Sequence, residues 1–107
     1  MSQIIYKYSI DPERPVLEIP PLIGQDGRRR SLKEQILHVG KQHENMALWA
    51  MVTPESPPRP VNCQICMTGV PCESVDPADR VATVLLIDGQ YVFHIFLREV
   101  TNSALPV

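Results

Sequence analysis

The chain is poor in cysteine, glycine and aromatic residues, and neither sign of charge dominates it. Its 107 residues hold three cysteines and five glycines, with 6% aromatics. An odd cysteine count leaves no complete set of disulfides within one chain. The first residues, MSQIIYKYSI, lack the basic segment and apolar block of a signal peptide. We therefore expect a cytoplasmic protein whose thiols stay reduced. No apolar run approaches the roughly 18 residues of a membrane span. Ten basic and 12 acidic side chains give a formal net charge of −2. That balance excludes a disordered acidic chain and a wholly basic nucleic-acid coat. Also missing are a G-x-S-x-G nucleophile elbow and a glycine-rich phosphate loop after a strand. The carboxylates Asp11, Glu13, Asp26, Glu55, Glu73, Asp76 and Asp79 fall in loops and read as a solvated rim. Nothing resembles a paired general acid and base, so the expectation is a protein without catalytic residues and without cofactor.

What the chain does have is proline, at 11 positions. Proline lacks an N–H and clashes with the preceding helical turn, so its abundance argues for short segments between hard turns. Apolar residues alternate over Ile4–Ile10 and again over Val16–Ile19, where Leu17 and Ile19 share a face. Period-two alternation marks half-buried strands. With only a turn between them, these two are expected to pair as a hairpin. Leu37 and Val39 begin a third strand, followed by a polar turn from Gly40 to Asn45. Met46 to Val52 is apolar on both faces, as a central strand would be. The segment TPESPPRP reads as a stiff surface loop. Val61 to Thr68 alternates. Arg80–Ile87 and Tyr91–Arg98 flank Asp88-Gly89, a strong hairpin signal, and this hairpin is expected to be the spine of the sheet. Residues 101–107 read as a flexible tail. The sum is one all-β domain of six to seven strands, a small antiparallel sandwich or barrel.

Residues 24–35 break the pattern with four of the ten positive charges. Arg28, Arg29, Arg30 and Lys33 lie on an apparent surface excursion, and Ser31 with Glu34 has the spacing of a capping box on one helical turn. Three consecutive arginines suit phosphates or an acidic protein patch. Nucleic-acid modules interleave aromatics with such charges, whereas here the nearest is Trp49. His94 lies between Val92 and Phe96 on an apolar strand face, where a histidine is ordinarily a satisfied structural residue. Cys63 and Cys66 have C-x2-C spacing, with Cys72 beyond, and His38, His43 and His94 complete a zinc-ligand inventory. On a strand, however, positions three apart point to opposite faces. Cys63 should face the core and Cys66 outward. Buried thiols, and no metal, are therefore expected.

Taken in order, IIYKYSI, LEIPP, ILHVGKQ, LWAMVTPESP, MTGVP and VATVLLIDGQYVFHIF resemble a family of small uncharacterised phage and prophage proteins. Its members read I-Y-K-Y, L-P-A-G, I-L-S-V-Q-x-Q, L-W-A-L-V-D-P, G-T-G-H-P and V-F-H-V-F. The likeness spans roughly residues 4 to 97, with LWAMVTP and YVFHIF its most specific pieces. Against that pattern, residues 24–34 look like a loop insertion. Val70 stands where the family has histidine, Cys63 where it has phenylalanine, and His94 matches its histidine.

The resemblance implies an origin more than an activity. The function expected is a non-catalytic protein-binding module that occludes a host protein, including host anti-phage defence complexes. Arg28, Arg29, Arg30, Lys33, Trp49 and His94 are its candidate contacts. The alternatives are a structural or assembly role and a nucleic-acid contact through the arginines. A homodimer is compatible with each of them, and no membrane is involved.

Overall fold

The computed structural model describes residues 2–43, 45–72, 75–86 and 89–100. Seven strands form two antiparallel sheets packed face to face. The first sheet has the order β1-β4-β3, from β1 (Ile4–Ile10), β4 (Asn45–Val52) and β3 (Ile36–Gln42). The second has the order β2-β5-β7-β6, from β2 (Val16–Ile19), β5 (Arg59–Met67), β7 (Tyr91–Glu99) and β6 (Arg80–Leu86). One helical turn, α1 (Leu32–Gln35), precedes β3, and a 3-10 turn, Pro77–Asp79, precedes β6. The sheets do not close into a barrel, so the sandwich alternative is the one observed.

Alternation along each strand makes the core. Met46, Leu48, Ala50 and Val52 of β4 meet Val61 and Cys63 of β5 and Ile95 and Leu97 of β7 in one buried cluster, with Ile10, Ile19, Val39 and Val84 around it. Each buried aliphatic side chain contributes about 1.5–3 kcal/mol. As its two apolar faces require, β4 is the middle strand of its sheet.

The expected β1–β2 hairpin does not form. β1 pairs with β4 and β2 with β5, and between them only Asp11 bridges Arg14. The turn hands the chain from one sheet to the other. Pro15 donates nothing, but its carbonyl accepts from the Cys63 amide at 2.6 Å and starts the second sheet. Nor is the last hairpin the spine throughout: β7 is internal, but β6 is an edge. Its turn residue Asp88 and the expected tail at 101–107 lie outside the described residues; Gly89 has φ 83°, as such a turn demands. β3 runs on to Gln42, paired with Asn45, so the polar turn is shorter than expected. Lys41 and Gln42 are polar because β3 is an edge strand, and polarity alone does not end a strand. His43 takes the left-handed conformation there, at φ 56°.

The expected capping box is present. The Glu34 amide donates to Ser31 Oγ at 3.2 Å, and the Ser31 amide donates to Glu34 Oε1 at 3.1 Å. The Ser31 amide and hydroxyl, both donating to Glu34 Oε1, hold that carboxyl below its ordinary pKa. This cap aims Gln35 into the interior, where it is fully buried.

Gln35 is part of a polar knot that the sequence reading did not anticipate. Arg59 opens β5 instead of lying in a surface loop, and it is 8% exposed. Its Nη1 donates to the Ile19 carbonyl at 2.8 Å and its Nη2 to Gln35 Oε1 at 3.0 Å. Gln35 Nε2 in turn donates to the Pro20 carbonyl. Arg59 Nε lies 3.4 Å from Glu99 Oε2, an ion-pair distance without hydrogen-bond alignment. Nearby, the Thr53 amide donates to the Pro21 carbonyl and Thr53 Oγ1 accepts from the Ile23 amide, both at 2.9 Å.

Removing a buried charged partner typically costs about 3–5 kcal/mol, whereas an exposed pair contributes about 0–1 kcal/mol. We expect Arg59→Ala to lose about 3 kcal/mol in urea unfolding with little change in slope. Arg29→Ala, which removes an exposed arginine bound to the same Glu99, should lose under about 1 kcal/mol. Equal losses would show that the knot is peripheral to stability.

Candidate functional sites

The expected site residues lie in three separate places. The first is the arginine segment. It is an ordered turn: the Gly24 amide donates to the Arg28 carbonyl and the Arg30 amide to the Leu22 carbonyl, both at 2.8 Å, and Ile23 bridges Arg29. Arg29 Nη2 pairs with Glu99 Oε1 at 3.2 Å. Arg30 Nη2 pairs with Asp26 Oδ1 at 3.4 Å, and its guanidinium fills the space where a Cβ on Gly24 would collide. Arg28 and Lys33 are exposed and have no ion pair among the described residues.

Arg29, Arg30, Lys33, Arg59 and Arg98 line a groove of about 330 Å³, together with Asp79 and Glu99. Arg98 is itself paired, with Asp79 at 2.9 Å and Asp76 at 3.7 Å. Most of the positive charge here is answered within the chain.

The second place is the outer face of the first sheet. Trp49 sits at its centre, opposite Lys7 on β1 and His38 on β3, with Ile5 opposite Met51 on the same face. A register shift between Ile36 and His38 sets the imidazole over Gly40, where any Cβ would strike Nε2. From there it meets the indole at 5.6 Å between centroids, tilted by 42°. Lys7 crosses the face and donates from Nζ to Gln42 Oε1 at 2.7 Å. Trp49 is thus a rigid, half-buried aromatic bracketed by polar side chains. The alternation of Ala47, Trp49 and Met51 was the available signal; the partners His38 and Lys7 depend on pairing across strands.

The third place is the outer face of the second sheet. His94 is held at both ring nitrogens: Nε2 lies 2.9 Å from Thr68 Oγ1 and Nδ1 lies 3.0 Å from Thr83 Oγ1. It is a satisfied residue tying β7 to β6 and to the turn that follows β5.

Cys63 and Cys66 do point to opposite faces. Cys63 is opposite Leu97 in the core, and Cys66 is opposite His94 outside. Cys66 is nevertheless 8% exposed, because it is joined to Cys72 in a disulfide with a Cα separation of 5.7 Å. The expectation that all three thiols stay free is corrected to one free thiol, Cys63. His38 and His94 lie on different sheets. Among the described residues no three histidine, cysteine or carboxylate side chains converge as metal ligands. Nor is any helix among them long and apolar enough to cross a membrane.

Burial pushes the Cys63 thiol up to about 11. The folded thiol is then neutral where the unfolded one ionises, so its contribution is intact below about 9 and is lost as pH rises toward about 11. Equilibrium unfolding across that range should show a decline that Cys63→Ala reduces. In the same protein, His38→Ala should uncover the indole, seen as a red-shifted emission and faster acrylamide quenching with unfolding unchanged. Unchanged quenching would show that the imidazole does not cover Trp49.

A family model described as a domain of unknown function (DUF7352) matches residues 1–105, and the chain belongs to that family. The match accords with the resemblance to a family without an established activity; phage or prophage origin is no part of it. No curated protein and no solved structure matches the chain.

Proposed function

We propose that this member of the DUF7352 family is a non-catalytic, phage- or prophage-encoded module that binds and occludes a host protein, in particular a component of an anti-phage defence complex. The observation that carries the reading is the Trp49 face. Interface energy concentrates in a few aromatic and arginine anchors, set in well-packed surroundings and rimmed by polar groups. Trp49 answers that description: its ring is fixed by His38 and flanked by Lys7, on the central strand of a sheet. The origin rests on the strings LWAMVTP and YVFHIF, and Trp49 belongs to the first of them.

The pairing of the arginines favours a protein partner over nucleic acid. Phosphate recognition needs cations free to release counterions, and Arg29 and Arg30 are engaged by Glu99 and Asp26. Arg28 and Lys33 are better suited to steering an acidic partner toward the surface, an effect on association rate more than on final affinity.

The test is capture from host lysate on immobilised protein, followed by titration of the captured partner. Binding should survive moderate salt, and Trp49→Ala should weaken it about 30-fold or more, the loss of a hot-spot residue. Combined Arg28→Ala, Arg29→Ala and Arg30→Ala should slow association and leave dissociation nearly unchanged. Binding unaffected by Trp49→Ala would overturn the assignment of the face. A steep fall in affinity with salt, carried by the arginines, would favour nucleic acid.

A further inference from the structure

Edge strands expose unpaired backbone groups, and folded proteins guard them with proline, bulges, charge, brevity or a covering element. Three of the four edges here are guarded. β2 is four residues long and lies between Pro15 and Pro20. β3 shifts register between Ile36 and His38, and β6 does so between Arg80 and Ala82. β3 and β6 also lie against each other across the sandwich.

Among the described residues, β1 has none of these protections. Its seven residues pair with β4 in unbroken register, from Ile4 opposite Val52 to Ile10 opposite Met46. It contains no proline, and Ile4, Ile5 and Tyr6 are 44%, 52% and 39% exposed. Its one charge does not guard the edge. Lys7 is drawn across the sheet, away from the free side of β1, by its hydrogen bond to Gln42 on β3.

The geometry points to a second copy of this chain as the occupant of that edge, with β1 pairing antiparallel to its own counterpart about a two-fold axis. This inference is independent of what the Trp49 face binds. An isologous contact is closed, so it satisfies the edge without growing into a fibre. Keeping the two core faces on the same side places a single residue on the axis. With Lys7 there, the exposed Ile4 and Ile5 would lie toward the ends of the contact, opposite the partner's Ile10 and the partner's Ser9. With Tyr6 there, each Ile5 lies opposite the partner's Lys7 and each Ile4 opposite the partner's Tyr8. The exposed Ile4, Ile5 and Tyr6 then all lie within the paired span. The result is a continuous six-stranded sheet with both copies of Trp49 on one surface.

Sedimentation velocity over a concentration series is the test, with circular dichroism to verify folding. The wild-type chain should sediment as a dimer at tens of micromolar. Ile5→Lys places like charges opposite Lys7 of the other copy and should shift the protein to monomer. Ile5→Glu places opposite charges there and should keep the dimer. Should Ile5→Lys fail to fold, Tyr6→Cys decides: a cysteine on the axis should form a covalent dimer under mild oxidation, where the wild-type chain does not. A wild-type monomer throughout, a dimer that persists in folded Ile5→Lys, a monomeric Ile5→Glu, or no cross-link from Tyr6→Cys would each overturn the proposal.

Discussion

One buried guanidinium ties three strands of the second sheet to the entry of the first. Arg59 reaches a carbonyl at the end of β2, the amide of Gln35 at the entry to β3 and the carboxylate of Glu99 at the end of β7. Hydrophobic packing is non-directional and tolerates sliding, whereas hydrogen bonds fix geometry. The knot defines where α1 docks, and with it where β3 begins. Burial lowers the Arg59 pKa, and Glu99 opposes that effect, offsetting part of the cost of holding the charge inside. Glu99 also takes Arg29, which couples the arginine segment to the interior.

This coupling changes how the basic segment is understood. As a string, Arg28-Arg29-Arg30 is the most conspicuous charge feature of the chain. In the fold it is a local turn with two of its three cations answered by carboxylates. Trp49 has no comparable internal claim on its outer surface. It stands in contact with His38 on a sheet whose inner face is already complete.

Local chemistry was legible in the sequence. Ser31 and Glu34 formed the cap their spacing implies, Met46–Val52 became a central strand, and Cys63 and Cys66 took opposite faces. What depends on pairing between distant residues was not. A proline-rich stretch gives no sign that Arg59 turns inward, because its partners come from residues 19, 35 and 99. The β1–β2 hairpin failed for the same reason: a short connection suits a hairpin, but it equally suits a corner between sheets. Cys72 shares no periodic pattern with Cys66, so nothing local foretold their bond.

That corner has a consequence for how the molecule is made. β1 and β2 leave the ribosome first, yet the partner of β1 starts only at Asn45 and that of β2 only at Arg59. Neither can be satisfied by its neighbour, and the second sheet closes only when β7, ending at Glu99, inserts beside β5. Pairings this remote must overcome loop-closure entropy before contacts compensate it. The strands of the first sheet are all present once Val52 is made, whereas the second sheet, and with it the other half of the core, waits for β7.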